Sequence, residues 1–221
     1  MPQRRNRSGN RLPVPSSLRS HHFFYKTAAP CPIADLEKLG ELIKPIMKQR
    51  VLADTIAVVD RQTIGTECGR SAGAAWDRIA SALPALVQDA EDELEVLGCH
   101  WTEPHVDVGF CGYAFYNLVL STGPFAYRMQ TLHTKRRLEG DDRLLEVVKS
   151  TRSLEVGDVF VFDPTTPHIV FPERPHQKQL LLLLQAKIPD VDEDGRSRLL
   201  RAIVPSEGDR NGGPAALPLS D

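Results

Sequence analysis

"GDVFVFDPTTPHIVF", residues 157–171, holds a short apolar run, a proline-bounded loop and a second apolar run entered by a histidine. The Gly157-Asp158 pair marks a turn, "VFVF" has the length and β-preference of a buried strand, and the prolines exclude a helix between the two runs. The same texture extends outward in both directions. "YAFYNLVLS" (113–121), "AYRMQTLH" (126–133), "LEVVKSTRSLEV" (145–156) and "QLLLLLQAKI" (179–188) are strand-like runs bounded by Gly, Pro, Asp and Asn. Together with "DVFVFD" (158–163) and "HIVF" (168–171) they make six runs. No long helical crossover separates them, which predicts an antiparallel sandwich or barrel rather than a βαβ sheet.

Upstream of Gly98 the periodicity is helical. "IADLEKLGELIKPIMKQRVL" places Ile33, Leu36, Leu39, Leu42, Ile43 and Ile46 near one face, and Pro45 is expected to end or kink that helix near Lys44. "TIAVVD" (55–60) is β-branched and predicts a short strand, while "AAWDRIASALPALVQDAEDELEVL" (74–97) predicts a second helical stretch interrupted around Pro84. The expected fold is mostly β with flanking α, with the N-terminal helices laying their apolar stripe on one face of a sheet.

The 221 residues suit one domain with a sizeable core, expected over 21–188 with its β part at about 94–188. Residues 1–20 carry Arg4, Arg5, Arg7, Arg11 and Arg19 and no acid, and are expected to form a disordered basic arm. Residues 189–221 turn acidic and then Gly/Pro-rich, a C-terminal extension expected to be partly disordered. With 27 basic and 29 acidic side chains, no global field demands a polyanionic partner. Cys31, Cys68, Cys99 and Cys111 show no CxxC spacing, so neither a zinc knuckle nor a disulfide scaffold is indicated. The longest apolar run, "LLLLL" at 180–184, is far short of a membrane span, and no apolar segment follows the basic start. A soluble, cytoplasmic protein is the expectation.

The chemistry begins at "EPHVDVGF" (103–110). On an extended segment residues i and i+2 share a face, so His105 and Asp107 can aim an imidazole and a carboxylate at one point. Two ligands hold a catalytic ion weakly. His168, after the loop at 163–167, offers a third. Two imidazoles and one carboxylate, with adjacent positions left open, form the facial triad of non-haem Fe(II) oxygenases.

In this order and texture, the segment from about Leu94 to Ile188 resembles the double-stranded β-helix, or jelly-roll, core of the Fe(II)- and 2-oxoglutarate-dependent dioxygenases. The resemblance implies that His105, Asp107 and His168 bind Fe(II), with 2-oxoglutarate and O2 as co-substrates, and that a substrate is hydroxylated with release of succinate and CO2. It also implies a basic residue about ten positions after the distal histidine, pairing with the far carboxylate of 2-oxoglutarate; Lys178 matches by position. The family more often has arginine there, whose fork is bidentate where lysine makes a point contact. Arg174 competes for the role from the loop "PERPHQ". Leu180 stands where the family often has a hydroxyl, so a core tyrosine would substitute: Tyr116 or Tyr127, with Tyr113 and Asn117 nearby. Related halogenases lack the carboxylate ligand, so Asp107 favours oxygenation.

Two other readings compete. A cupin shares the core, but its first motif would give H-x-H where this chain has H-x-D. A non-catalytic β-domain with the basic arm as its interaction module would need no metal. Standing alone, His105 would be a surface histidine, Asp107 a turn former and His168 a satisfied core histidine. His100, His133 and His176 lack a partner at ligand spacing, and the neighbouring histidines of "HHFF" (21–24) would point in opposite directions. Lys135, Arg136 and Arg137 are either a guide for an anionic substrate or a solvated hairpin end. The primary substrate is open among protein side chains, nucleic-acid bases and metabolites, although no aromatic platform for bases is visible.

Overall fold

The computed structural model describes residues 24–53, 56–90, 94–107, 109–110, 112–135, 145–174, 176 and 179–188. The arm at 1–20, the "HH" of "HHFF", Cys111, Arg136, Arg137, Lys178 and the extension at 189–221 lie outside them. In chain order the elements are β1 (Phe24–Ala28), α1 (Ile33–Ala53), β2 (Ile56–Asp60), α2 (Arg61–Glu67), α3 (Arg70–Ala82), α4 (Ala85–Gln88), β3 (Leu94–Cys99), β4 (Ala114–Ser121), β5 (Tyr127–Lys135), β6 (Leu145–Leu154), β7 (Asp158–Phe162), β8 (His168–Pro172) and β9 (Leu181–Ile188).

The strands form two antiparallel sheets. The large one runs β1-β7-β4-β9-β3-β2, and the small one runs β6-β5-β8. Segment 101–107 lies along the outer side of β8 through one isolated bridge, His105 to His168. Consecutive core strands therefore alternate between the sheets: β3 large, 101–107 small, β4 large, β5 and β6 small, β7 large, β8 small, β9 large. That winding is a double-stranded β-helix, a jelly roll with helices on the outer face of the large sheet.

The large sheet is buried on both faces, which is why β4 and β9 read as nearly continuous apolar runs. Tyr116, Leu118, Leu120, Leu182, Leu184 and Ala186 face the helices. Phe115, Val119, Phe160, Phe162, Leu181 and Leu183 face the small sheet. Helix α1 buries Leu36, Leu39, Ile43, Met47 and Val51, a stripe at helical spacing.

Two expectations need correction. Pro45 does not end α1, which continues to Ala53. Pro45 lies on the exposed side, where the lost backbone donor faces water, while the buried stripe continues on both sides of it. The run "LEVL" (94–97) is not the tail of a helix either. α3 stops at Ala82 and α4 is a single turn, after which Leu94–Cys99 is a strand paired with both β2 and β9. Its neighbours supply what helical periodicity could not, a central place in the sheet. The strand expected at 55–60 is found as β2.

Gly40 sets how closely α1 rides on the sheet, since a Cβ there would lie 2.9 Å from the backbone oxygen of Leu120. Alanine favours a helix interior by up to about 1 kcal/mol over glycine, but here the opposing atom is backbone and cannot swing aside. Gly40→Ala is expected to destabilise the protein by about 1–2 kcal/mol net, read as a lower urea midpoint at unchanged slope.

Candidate metal centre

His168 opens β8, and its side chain is driven inward by the strand's alternation; the residue is 4% exposed. His105 is brought opposite by its own backbone. The His105 amide donates to the His168 carbonyl at 3.0 Å, and the His168 amide returns the bond at 2.9 Å. The Thr102 amide donates to Val170 O at 2.8 Å, and the Asp107 amide donates to Pro164 O at 3.0 Å. Segment 101–107 is thus clamped along β8 without becoming a regular strand, a departure from the expected extended β-run. Pro104 has no donor to offer a ladder.

The side chains converge. Ligand atoms of His105, Asp107 and His168 all lie within 4.8 Å of one another. His105 Nε2 is 3.5 Å from Asp107 Oδ1, and His168 Nε2 is 3.9 Å from Asp107 Oδ2. Each histidine turns its other nitrogen to the carbonyl two residues before it: His105 Nδ1 to Glu103 O at 2.7 Å, His168 Nδ1 to Thr166 O at 2.9 Å. A carbonyl only accepts, so Nδ1 carries the proton and Nε2 presents its lone pair toward the carboxylate. Burial holds the His168 imidazole below its usual pKa, and the neighbouring His105 ring, with centroids 4.3 Å apart, acts in the same direction. The Thr166 carbonyl and Asp107 oppose them. Two imidazoles with Nε2 turned toward a carboxylate match the donor set of a divalent first-row transition ion, and the carbonyls at Nδ1 are the outer support such ligands need.

The three side chains line a cavity of about 220 Å³ between the sheets. Phe162 meets the His168 ring edge-on at 4.9 Å, and Phe115 packs on Phe162. Gln179 is buried, and its Nε2 donates to Thr122 O and Phe125 O at 2.6 Å each. His100 Nδ1 donates to Gln179 O at 2.6 Å.

Of the remaining candidates Asn117 lines the triad's cavity, while Tyr116, Tyr127 and Arg174 do not. Tyr116 is buried on the helix side of the large sheet. Tyr127 lies between the sheets, its hydroxyl donating to His100 O at 3.0 Å. Burial raises the pKa of both phenols. Arg174 is exposed, its guanidinium carbon 5.6 Å from the centroid of the Phe125 ring. Asp163 shapes the loop, its Oδ1 accepting from Thr165 N and Oγ1 at 2.9 and 2.7 Å. Cys99 is buried and its thiol is pushed up to about 12, consistent with a small apolar core residue. Sequence reasoning misses Glu95, Gln185 and Lys187, which line the cavity with Asn117. The signal for two of them stands in "LLLLLQAKI", where the leucine face at 181 and 183 continues into Gln185 and Lys187.

No family model matches the chain, and no curated protein matches it. Among solved structures it is similar to the non-heme alpha ketoglutarate dependent epimerase SnoN from nogalamycin biosynthesis, at 15% identity and TM-score 0.44, over 75% of this chain and 76% of that one. It is similar to a Pseudomonas putida prolyl-4-hydroxylase at 15% identity and TM-score 0.39, over 77% and 94% of the two chains. It is also similar to vicilin from Corylus avellana (hazelnut), at 11% identity and TM-score 0.30, over 61% and 28%. Likenesses this distant span different activities and carry no functional argument; the fold stands on strand order. Among the described residues no helix is long and apolar enough to cross a membrane.

A divalent ion held by this triad stabilises the native state by linkage. At one hundred times its dissociation constant, Co(II) or Fe(II) is expected to add about 2.7 kcal/mol, seen as a raised melting temperature. Asp107→Ala and His168→Ala should each abolish the shift.

Proposed function

We propose that the protein is an Fe(II)- and 2-oxoglutarate-dependent oxygenase that hydroxylates a substrate, with succinate and CO2 as co-products. The observation that carries this reading is the convergence of His105, Asp107 and His168 within 4.8 Å at one end of a cavity inside a double-stranded β-helix. When bound, Fe(II) supplies the dioxygen chemistry that couples oxidative decarboxylation of 2-oxoglutarate to hydroxylation of a C–H bond.

The chain supplies geometry, charge and an apolar wall. The carbonyls of Glu103 and Thr166 engage Nδ1 of the two imidazoles and so orient Nε2 toward an ion. Asp107 offsets one of the ion's two charges and leaves the centre net positive toward an anionic 2-oxo acid. Phe115, Phe160 and Phe162 line the cavity with apolar surface on the side of the buried His168, while His105 and Asp107 stay half-buried. Lys178 is assigned to the far carboxylate of 2-oxoglutarate, a buried anion that needs a paired cation. A cytoplasmic setting fits this chemistry and belongs to the proposal.

The test is succinate release from 2-oxoglutarate, anaerobically loaded with Fe(II) and started with oxygen. Turnover is expected in the wild type and at least a hundredfold less in Asp107→Ala. Lys178→Ala should raise the KM for 2-oxoglutarate roughly tenfold or more, the loss expected when one charge pair is removed. Lys187→Ala should leave that KM within about twofold. Iron binding without any succinate would turn the assignment to a cupin-type metal enzyme. No iron binding would leave a non-catalytic β-domain.

A further inference from the structure

The cavity wall facing the triad is a stack of cross-strand rungs. Nearest the histidines lies Lys187–Phe115–Phe162. The next rung is Glu95–Gln185–Asn117–Phe160, and beyond it Leu97–Leu183–Val119. One rung is therefore polar across three adjacent strands, with largely apolar rungs on either side. Burying such a row costs free energy unless its groups are satisfied, so what they bond decides what the row is for.

One of its three polar members is closed. Glu95 pairs at 2.5 Å with Lys187 of the neighbouring rung, the two side chains each 19% exposed, and Lys187 also sits over the Phe110 ring at 5.7 Å. The other two are open. Gln185 Nε2 donates to Asn117 Oδ1 at 2.8 Å, and these residues are 5% and 0% exposed. Among the described residues Asn117 Nδ2 reaches only its neighbouring carbonyl, Phe115 O, at 3.3 Å. Gln185 Oε1 accepts no hydrogen bond among the described residues. The wall thus presents one acceptor and one under-used donor, both neutral, on adjacent strands about 4.8 Å apart. A charged substrate group would find its countercharges on this wall already paired, and opening that pair would strand a charge.

Resting on the oxygenase reading above, we propose that the primary substrate is an uncharged, amide-bearing apolar group, its N–H directed to Gln185 Oε1 and its C=O to Asn117 Nδ2. At about 220 Å³ the cavity is smaller than the roughly 300–1,000 Å³ of drug-sized sites, so only a compact portion enters. The rest lies at the mouth on Ile56 and Val58, cavity-lining residues of β2 that are 38% and 42% exposed.

The experiment uses the full chain and three probes of matched shape: N-acetyl-leucinamide, the ester analogue with oxygen in place of the acetamide N–H, and free leucine. Binding is measured by calorimetry on metal-free protein, and succinate release is measured separately on iron-loaded protein. The amide is expected to bind at least tenfold tighter than the ester or the free amino acid. Gln185→Met should remove that preference while keeping the metal-induced melting shift. Equal binding of all three, no binding of the amide, or succinate release stimulated by free leucine alone would overturn the inference. Amide binding without any succinate would uphold the subsite and sink the oxygenase reading instead. The wild-type comparison decides the matter even if the variant does not fold.

Discussion

The two backbone hydrogen bonds exchanged by His105 and His168 are the constraint on which the site depends. They join an irregular segment, which has no ladder of its own, to the first residue of β8. Because the bonded residues are themselves the two imidazole donors, the pairing that docks the segment also sets the separation of the ligands. Any slip of 101–107 along β8 would move His105 and Asp107 together away from His168. The Thr102 and Asp107 amide bonds, one on each side of the bridge, oppose that slip.

This arrangement explains why the triad is legible in the sequence although its local structure is not. Period-two spacing puts His105 and Asp107 on one face, and the geometry keeps them together. Yet 101–107 is a clamped coil, held by β8 rather than by its own propensity. The strands from β4 to β9 are legible for a different reason: burial on one or both faces selects β-branched and aromatic runs, and turns punctuate them. Local rules misplace Pro45 and the run before Cys99 for one shared cause. Tertiary packing overrides them, through the buried stripe along α1 in one case and through β2 and β9 in the other.

The polar rung shows a deeper limit. Glu95, Asn117 and Gln185 come from three strands far apart in the chain, and only the register Glu95 to Gln185 to Asn117 makes them neighbours. Register follows from pairing and bulges, such as the shift between Val119 and Ser121, and none of that is written in a single strand. Each residue alone looks like an accident of composition. In register they are a row of hydrogen-bonding groups inside an apolar wall.

The cavity consequently has two chemically distinct sides. The small-sheet side carries the donors for an ion, its two imidazoles each fixed by the backbone carbonyl two residues earlier. The large-sheet side carries neutral amides and a self-neutralised ion pair. With Glu95 and Lys187 cancelling, the triad's carboxylate is the uncompensated charge among the described groups on the cavity wall, so the field there is dominated by Asp107 and by whatever cation it holds. Adding a second unpaired charge opposite would compete with it directly, which gives a physical reason for the facing wall to be polar yet neutral.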